Sequence, residues 1–206
     1  MTQIAVFASG RGSNFSAIHK KIKEGYLSCQ VSALISDNSK AGALEFAEQN
    51  NISTYVVKPR EFPSPDSFGK RLIGILTEHR VEYILLAGYL KKIPDNVIDR
   101  FENRIINIHP ALLPAFGGKG MYGIHVHQTV FDSGAQVSGV TVHFVNKVYD
   151  AGPILLQKAV NIRECQSPEA IAEKVLAMEH QVYAEAVKIL LEKNIRIQGK
   201  RVVIDD

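Results

Sequence analysis

The sequence predicts an α/β fold: a single domain with an open, twisted, mostly parallel sheet, helices on both faces and antiparallel strands in the C-terminal half. Three observations predict this fold. Short apolar runs alternate with helical patterns through the first half of the chain. The run at 83–87 is continuously apolar, as buried parallel strands are. Two runs at 137–145 and 154–162 flank a short polar loop, which is typical of an antiparallel pair.

Composition narrows the class of protein. The 206 residues are 46% hydrophobic and 22% charged, which is ordinary for a globular protein with a full core. The net charge of +3 is too small an excess to indicate a nucleic-acid partner. Cys29 and Cys165 have neither metal-ligand spacing nor a disulfide framework, which favours a reduced, cytoplasmic protein. No apolar run approaches the roughly 18 residues of a membrane span, so no membrane partner is expected.

The elements of the first half follow from apolar periodicity. Two prolines, Pro63 and Pro65, predict a loop over 61–67, and Asp95 is expected to cap a short helix. Strands are predicted at 4–8, 31–35, 54–57, 83–87 and up to residue 109, with helices from residue 15 and over 41–49, 68–79 and 95–101.

A glycine-rich turn follows the first predicted strand. Gly12, Ser13 and Asn14 stand where the strand gives way to a helix. Backbone N–H groups at such a helix start favour a phosphate. The turn lacks the Lys-Ser/Thr of a P-loop and the third glycine of a dinucleotide fingerprint, so tight packing is the alternative interpretation.

The stretch Arg104–Pro114 ends a predicted strand in two polar residues, Asn107 and His109. Residues two apart on a strand point to the same side, and an amide beside an imidazole can polarise a carbonyl and shuttle a proton. The alternative is a strand that simply ends in polar residues before a loop. In parallel sheets ligands bind beyond the carboxyl ends of strands, where the Gly12 turn, the Tyr89 loop and this pair are all expected to open.

The second half offers three further candidates. His125 and His127 could bind a metal ion, but no nearby Cys or carboxylate completes a site, so no metal is expected. Asp150 precedes Ala-Gly-Pro and is either a turn former or a functional carboxylate. Glu179 lies at the border of the apolar face of a long helix that Ser167 caps, and is either solvated or aimed into a cleft. Strands are also predicted at 195–197 and 202–204, and the four glycines of 117–123 predict a mobile loop.

Five stretches, taken in order, resemble one family. The sequence is similar to the phosphoribosylglycinamide formyltransferases, 10-formyltetrahydrofolate-dependent enzymes of purine synthesis, over almost its whole length. The stretches are Ala-Ser-Gly-Arg-Gly-Ser-Asn at 8–14, Leu-Leu-Ala-Gly-Tyr-Leu at 85–90, Ile-Asn-Ile-His-Pro-Ala-Leu-Leu-Pro at 106–114, Gly-Val-Thr-Val-His-Phe-Val at 139–145 and Asp-Ala-Gly-Pro-Ile-Leu-Leu-Gln at 150–157.

The resemblance implies a reaction and three catalytic residues. The amine of glycinamide ribonucleotide would attack the formyl carbon of 10-formyltetrahydrofolate. Asn107 and a protonated His109 would donate hydrogen bonds to the oxyanion, and Asp150 would lie near His109 and raise its pKa. These roles would replace the structural interpretation of each residue.

The resemblance also implies binding residues. It places the substrate phosphate on Gly12, Ser13 and Asn14, and makes Glu179 a contact of glycinamide ribonucleotide. The chain would divide into a phosphate-binding, Rossmann-like half, 1–103, and a catalytic and folate-binding half, 104–206. Thr141 and His143 match positions facing the cleft, and Leu113-Pro114 matches a cis bond. The residues expected at the folate are Tyr89, Leu90, Lys91, Lys92, Ile93, Asn107 and Arg60.

Three departures from the family pattern concern the folate site and a loop. Pro65 stands where relatives often carry a basic residue that can meet folate, and Arg60 is expected to substitute for it. Lys92 replaces an apolar residue of the pterin segment, which is harmless if only its backbone is used. The run 116–123 is longer than in many relatives.

Rival functions remain open at this point. Methionyl-tRNA formyltransferase would need an RNA-binding domain, and formyltetrahydrofolate deformylase an added regulatory domain. A non-catalytic nucleotide- or folate-binding module would have no need for His109 and Asp150 to meet. A monomer or weak homodimer is expected.

Overall fold

The computed structural model describes residues 1–205. Their Cα atoms group into two compact units, Met1–Ile106 and the part of the chain from Asn107 onward. The predicted division of function between 1–103 and 104–206 stays a prediction. No helix among the described residues is long and apolar enough to cross a membrane.

The first unit alternates strands with helices. Its elements are β1 Thr2–Phe7, α1 Ser13–Lys23, β2 Cys29–Ser36, α2 Gly42–Gln49, β3 Ser53–Val56, a 3₁₀-helix Pro59–Glu61, α3 Pro65–Glu78, β4 Tyr83–Leu86 and α4 Asp95–Arg100. The strands lie in the order β3-β2-β1-β4 and pair in parallel. Strands β1, β2 and β4 are mostly buried because they carry apolar and β-branched side chains; Ile4, Val6 and Phe7 of β1 are fully buried.

Strand β5, Ile105–His109, spans the boundary between the units, and the rest of the second unit follows it. The remaining elements are α5 Ile124–Asp132, β6 Val137–Phe144, β7 Ile154–Asn161, α6 Pro168–Glu192, β8 Asn194–Gln198 and β9 Arg201–Asp205. The strand order is β5-β6-β7-β9-β8, in which β6 with β7 and β8 with β9 are antiparallel. The predicted α/β class, mostly parallel with antiparallel strands in the C-terminal half, is confirmed.

Two local predictions were wrong. The expected loop over 61–67 contains the first turn of α3, because Ser64 caps the helix by accepting from the Ser67 backbone and Pro65 suits the first helical position. The cap of α4 is Pro94, and Asp95 is the first helical residue. The prediction that Ser167 caps α6 is confirmed, since its side chain accepts from the Ala170 backbone.

Candidate active site

Strand β5 presents Asn107 and His109 on one side, because they lie two residues apart. Ile106 and Ile108 alternate with them and are buried in the core, which fixes which way the polar pair points. His109 is 3% exposed, whereas Asn107 is partly exposed. The His109 imidazole is therefore buried in the protein, and the Asn107 amide lies nearer the surface.

The loop between β6 and β7 carries Asp150. Antiparallel pairing of these strands returns the chain beside the end of β6. A Cβ atom at Gly152 would lie 1.8 Å from the Phe144 carbonyl oxygen, so only glycine fits this turn. Asp150 itself has φ 52, a left-handed conformation that Asp and Asn tolerate better than most residues. Gly152 of the Asp-Ala-Gly-Pro motif is thus required by the turn that delivers the carboxylate.

The structure brings the three predicted catalytic residues together with His143. Asp150 Oδ2 lies 3.8 Å from His109 Nδ1, and Asp150 Oδ1 lies 3.5 Å from His143 Nε2. Asn107 Nδ2 lies 3.2 Å from His143 Nε2, while His143 Nδ1 donates to the Phe144 carbonyl at 2.9 Å. In the neutral tautomer that this donation fixes, His143 Nε2 accepts from the Asn107 amide. The amide retains a second N–H that can meet a substrate oxygen.

The protonation of His109 differs from the prediction. Burial lowers its pKa by more than the Asp150 charge and the hydrogen bond to Phe116 raise it, and His143 lowers it further. As predicted, the Asp150 charge raises the pKa of His109, but desolvation of the almost completely buried ring outweighs it, so the expected imidazolium is not the favoured form. Burial by itself would raise the pKa of Asp150, yet its neighbour His143, the hydrogen bond from the Gly118 N–H and the proximity of His109 lower it. The carboxylate is therefore ionised at neutral pH.

The glycine-rich run 116–123 contacts this cluster through its backbone. His109 Nε2 donates to the Phe116 carbonyl at 2.8 Å, and the Gly118 N–H donates to Asp150 Oδ2 at 2.8 Å. Residue types alone could not reveal these partners, since main-chain groups supply them. In this conformation the loop occupies one ring nitrogen of His109 and one oxygen of Asp150.

A second, buried network holds the chain that follows β5. Thr141 is fully buried; its Oγ1 donates to the Ala111 carbonyl at 2.7 Å and accepts from the Leu113 N–H at 3.0 Å. Gln157 Nε2 donates to Thr141 Oγ1 at 2.8 Å and to the Leu113 carbonyl at 2.9 Å. The Leu113-Pro114 bond is cis, as expected. Sequence reasoning missed Gln157, although a polar residue inside the apolar run 154–162 could have marked it.

The predicted phosphate turn is built as a helix start. Gly12 is the N-cap of α1 with φ 80, and Ser13 and Asn14 open the helix. A Cβ atom at Gly12 would lie 2.7 Å from the Ala43 Cβ, so close packing also requires the glycine. The structure supports the interpretation that Gly12 serves tight packing. It does not exclude phosphate binding, because the same backbone conformation leaves a helix start that can bind a phosphate.

The predicted folate segment, Tyr89–Ile93, follows β4 without regular structure. Tyr89 and Ile93 are buried, whereas Leu90 is exposed. The Lys92 ammonium pairs with Asp95 at 3.1 Å. Its side chain is thus directed to α4, which agrees with a use of its backbone alone.

Arg60 lies in the 3₁₀-helix upstream of α3 and lines a cavity of about 450 Å³ in the first unit. Most of the charged residues around this cavity are basic; the charged lining consists of Asp37, Lys40, Lys58, Arg60 and Lys91. An anionic group would suit this lining. Whether Arg60 replaces the basic residue of relatives stays a prediction.

Comparisons with known proteins show the family to which the chain belongs. The family model described as formyl transferase matches residues 2–187. The chain belongs to the formyl transferase family. This formyl transferase is 45% identical over 195 residues to a chloroplastic phosphoribosylglycinamide formyltransferase of Arabidopsis thaliana, covering 94% of the chain and 67% of that relative. It is 39% identical over 196 residues to the phosphoribosylglycinamide formyltransferase of Bacillus subtilis, covering 95% and 98%.

Solved structures agree with this family. The formyl transferase matches glycinamide ribonucleotide transformylase 1 from Symbiobacterium toebii with a TM-score of 0.93 and 37% identity, covering 100% of this chain and 95% of the other. A formyltetrahydrofolate deformylase from Pseudomonas syringae shares the fold at a TM-score of 0.88, but at 22% identity over 66% of its length. The second likeness concerns the fold alone.

Two other residues singled out from the sequence, Glu179 and His127, are both buried. Glu179 on α6 is 8% exposed, so the interpretation as a solvated edge residue was wrong. His127 is buried on α5, and burial, followed by the charge of His109, lowers its pKa to about 4. Among the described residues, no group of three or more His, Cys, Asp or Glu is arranged to hold a metal ion.

Proposed function

We propose that this formyl transferase moves the formyl group of 10-formyltetrahydrofolate to the amine of glycinamide ribonucleotide. The relatives that it matches over nearly its whole length are named for that reaction or its substrate. The observation that carries the proposal is the cluster of Asn107, His109 and Asp150, which separate stretches bring together around His143. Asp150 lies 3.8 Å from His109 and 3.5 Å from His143, close enough for its charge to stabilise an imidazolium.

The amine attacks the formyl carbon, and the carbonyl electron pair moves to oxygen. Asn107 donates its second amide N–H to that oxyanion, while its first stays on His143. Because the hydrogen bond to His143 already holds the Asn107 amide in place, the amide needs no reorganisation when the negative charge develops on the oxygen. The amine proton then leaves, the bond from the formyl carbon to N10 breaks, and N10 takes up a proton to give tetrahydrofolate.

His109 is the proton carrier in this scheme. Its lowered pKa leaves the ring neutral at pH 7, so it can accept the amine proton. The imidazolium that results faces Asp150, whose charge stabilises it. In the structure Nε2 carries a hydrogen that it donates to the Phe116 carbonyl. It can accept the amine proton only after substrate binding displaces that carbonyl and the ring hydrogen lies on Nδ1, which faces Asp150.

Substrate binding is assigned to other residues. The α1 start at Gly12, Ser13 and Asn14 takes the phosphate of the ribonucleotide, and Glu179 contacts the glycinamide part. The segment Tyr89–Ile93 takes the pterin through its backbone, with Arg60 contributing a positive charge. We also propose a cytoplasmic monomer or weak homodimer.

A transfer assay tests the proposal and its rivals together. The enzyme is mixed with 10-formyltetrahydrofolate and glycinamide ribonucleotide, and formylglycinamide ribonucleotide is measured beside a control without acceptor. Product that depends on the acceptor supports the transferase. Formate release without acceptor indicates a deformylase, and tight folate binding with no turnover indicates a binding module.

A further inference from the structure

Ser9, the second residue after β1, holds the segment 88–93 at two points. Its backbone N–H donates to the Gly88 carbonyl at 3.1 Å. Its hydroxyl oxygen accepts from the Leu90 N–H at 2.9 Å. A serine that is itself buried thus connects the end of the first strand to the segment predicted to meet the folate.

Asp37 orients that hydroxyl. The Ser9 Oγ donates to Asp37 Oδ1 at 2.5 Å, and the Asp37 side chain is only 9% exposed. A hydroxyl carries one hydrogen, so donation to Asp37 leaves its lone pairs for the Leu90 N–H. The Lys91 ammonium, 3.7 Å from Asp37 Oδ2, supplies a partly solvated counter-charge. The direction of both hydrogen bonds is therefore fixed: the Leu90 N–H donates to the Ser9 hydroxyl, and that hydroxyl donates to the Asp37 carboxylate.

Side-chain packing does not hold the middle of this segment. Tyr89 packs edge-on against Phe7 with ring centroids 5.2 Å apart, and Ile93 is 3% exposed, so both ends are anchored. Leu90 between them is 46% exposed and buries little. The conformation of residues 90–91 therefore depends on the polar link to Ser9.

We propose that Ser9 and Asp37 are positioning residues for the folate co-substrate, fixing the backbone of Leu90 and Lys91 in the conformation that the pterin requires. The inference rests on the proposed function, because that function assigns segment 89–93 to the pterin. A backbone used for recognition must be held in place before binding, and loss of the link adds an ordering cost to every binding event.

Loss of the hydroxyl should appear as a split between kinetic constants. Ser9→Ala removes one hydrogen bond to Leu90, which corresponds to roughly a five- to tenfold higher KM for 10-formyltetrahydrofolate. The kcat and the KM for glycinamide ribonucleotide should stay within about twofold of the unmodified values, because Ser9 is not among the residues assigned to that substrate or to the catalytic cluster. Asp37→Asn keeps an acceptor for the hydroxyl, so it should raise the folate KM by less than the Ser9→Ala change.

Ser36→Ala is the matched control. Ser36 is fully buried and stands beside Asp37, and among the described residues its hydroxyl bonds only with the Asn38 backbone. The variant loses a buried hydroxyl at the end of β2, next to Asp37, without removing a hydrogen bond to the segment 88–93. The Ser36→Ala enzyme should keep the folate KM of the unmodified enzyme, while losing about as much thermal stability as the Ser9→Ala enzyme.

The experiment measures both KM values, kcat and thermal unfolding for the unmodified enzyme and the variants, with tetrahydrofolate binding followed by calorimetry. A folate-specific rise in KM and Kd for Ser9→Ala, smaller for Asp37→Asn and absent for Ser36→Ala, supports the inference. An equal change in both KM values, or the same change in Ser36→Ala, overturns it. If Ser9→Ala does not fold, Asp37→Asn decides alone: no rise in folate KM overturns it. An unmodified enzyme that transfers no formyl group contradicts the proposed function instead.

Discussion

Replacement of Asp150 by Asn isolates the charge of this residue from its place in the turn. Asn tolerates the φ of 52 better than Ala would, and its oxygen can still accept from the Gly118 N–H. The volume is almost unchanged. What the variant loses is one negative charge that is 3.8 Å from His109 and 3.5 Å from His143.

The size of the effect follows from Coulomb's law. At the 3.8 Å separation from His109, a unit charge pair is worth about 4 kcal/mol at an effective dielectric constant of 20. If the imidazolium forms in the transition state, this loss corresponds to roughly a thousandfold lower kcat. Because Asp150 raises the pKa of His109, its removal also lowers that pKa further, so any pH limb controlled by the imidazolium moves to lower pH.

The assay is steady-state formyl transfer over a range of pH, with circular dichroism to show that the variant folds. Asp132→Asn is the matched control, because Asp132 is an exposed residue on α5 whose carboxylate accepts from Gln128. It should keep full activity. A folded Asp150→Asn enzyme within about fivefold of normal kcat would refute the role assigned to the charge.

Three further predictions concern single positions. Asn107→Ala should lower kcat by roughly 100- to 1,000-fold with little change in either KM, as measured by steady-state kinetics; a loss confined to KM would mean that the amide only binds substrate. Gly12→Ala should raise the KM for glycinamide ribonucleotide at least tenfold, because its Cβ would lie 2.7 Å from the Ala43 Cβ at a φ of 80; an unchanged KM would remove this turn from the phosphate site. His127 has a pKa lowered from 6.5 to about 4, so the unfolded chain takes up a proton before the folded one and the free energy of unfolding falls by about 3 kcal/mol as pH drops through that window. His127→Leu should flatten that slope in chemical denaturation at pH 4 to 7, and an unchanged slope would place the acid sensitivity elsewhere.

Local patterns determined the elements and the identity of the chemically competent groups. The apolar runs of β1, β4 and β5 determine which side chains are buried, and Asn107 and His109 share a side because strand geometry has a period of two. The apolar and polar alternation of β6 does not, since Ser138, Thr141 and His143 are buried as well. The boundary of α3 was misplaced because the two prolines outweighed the Ser64 cap, which the spacing alone does not distinguish from a turn residue.

Tertiary structure decided what those groups can do. The antiparallel return of β7 brings Asp150 beside residues some forty positions earlier, and no periodicity in the sequence specifies such a distance. It also made burial, rather than the Asp150 charge, the larger effect on the pKa of His109, since desolvation depends on everything packed around the ring. The backbone partners at Phe116, Gly118 and Leu90 are invisible to residue type. Every residue except proline has the same main-chain donor and acceptor, so only the folded path of the chain determines which of them meet a functional side chain.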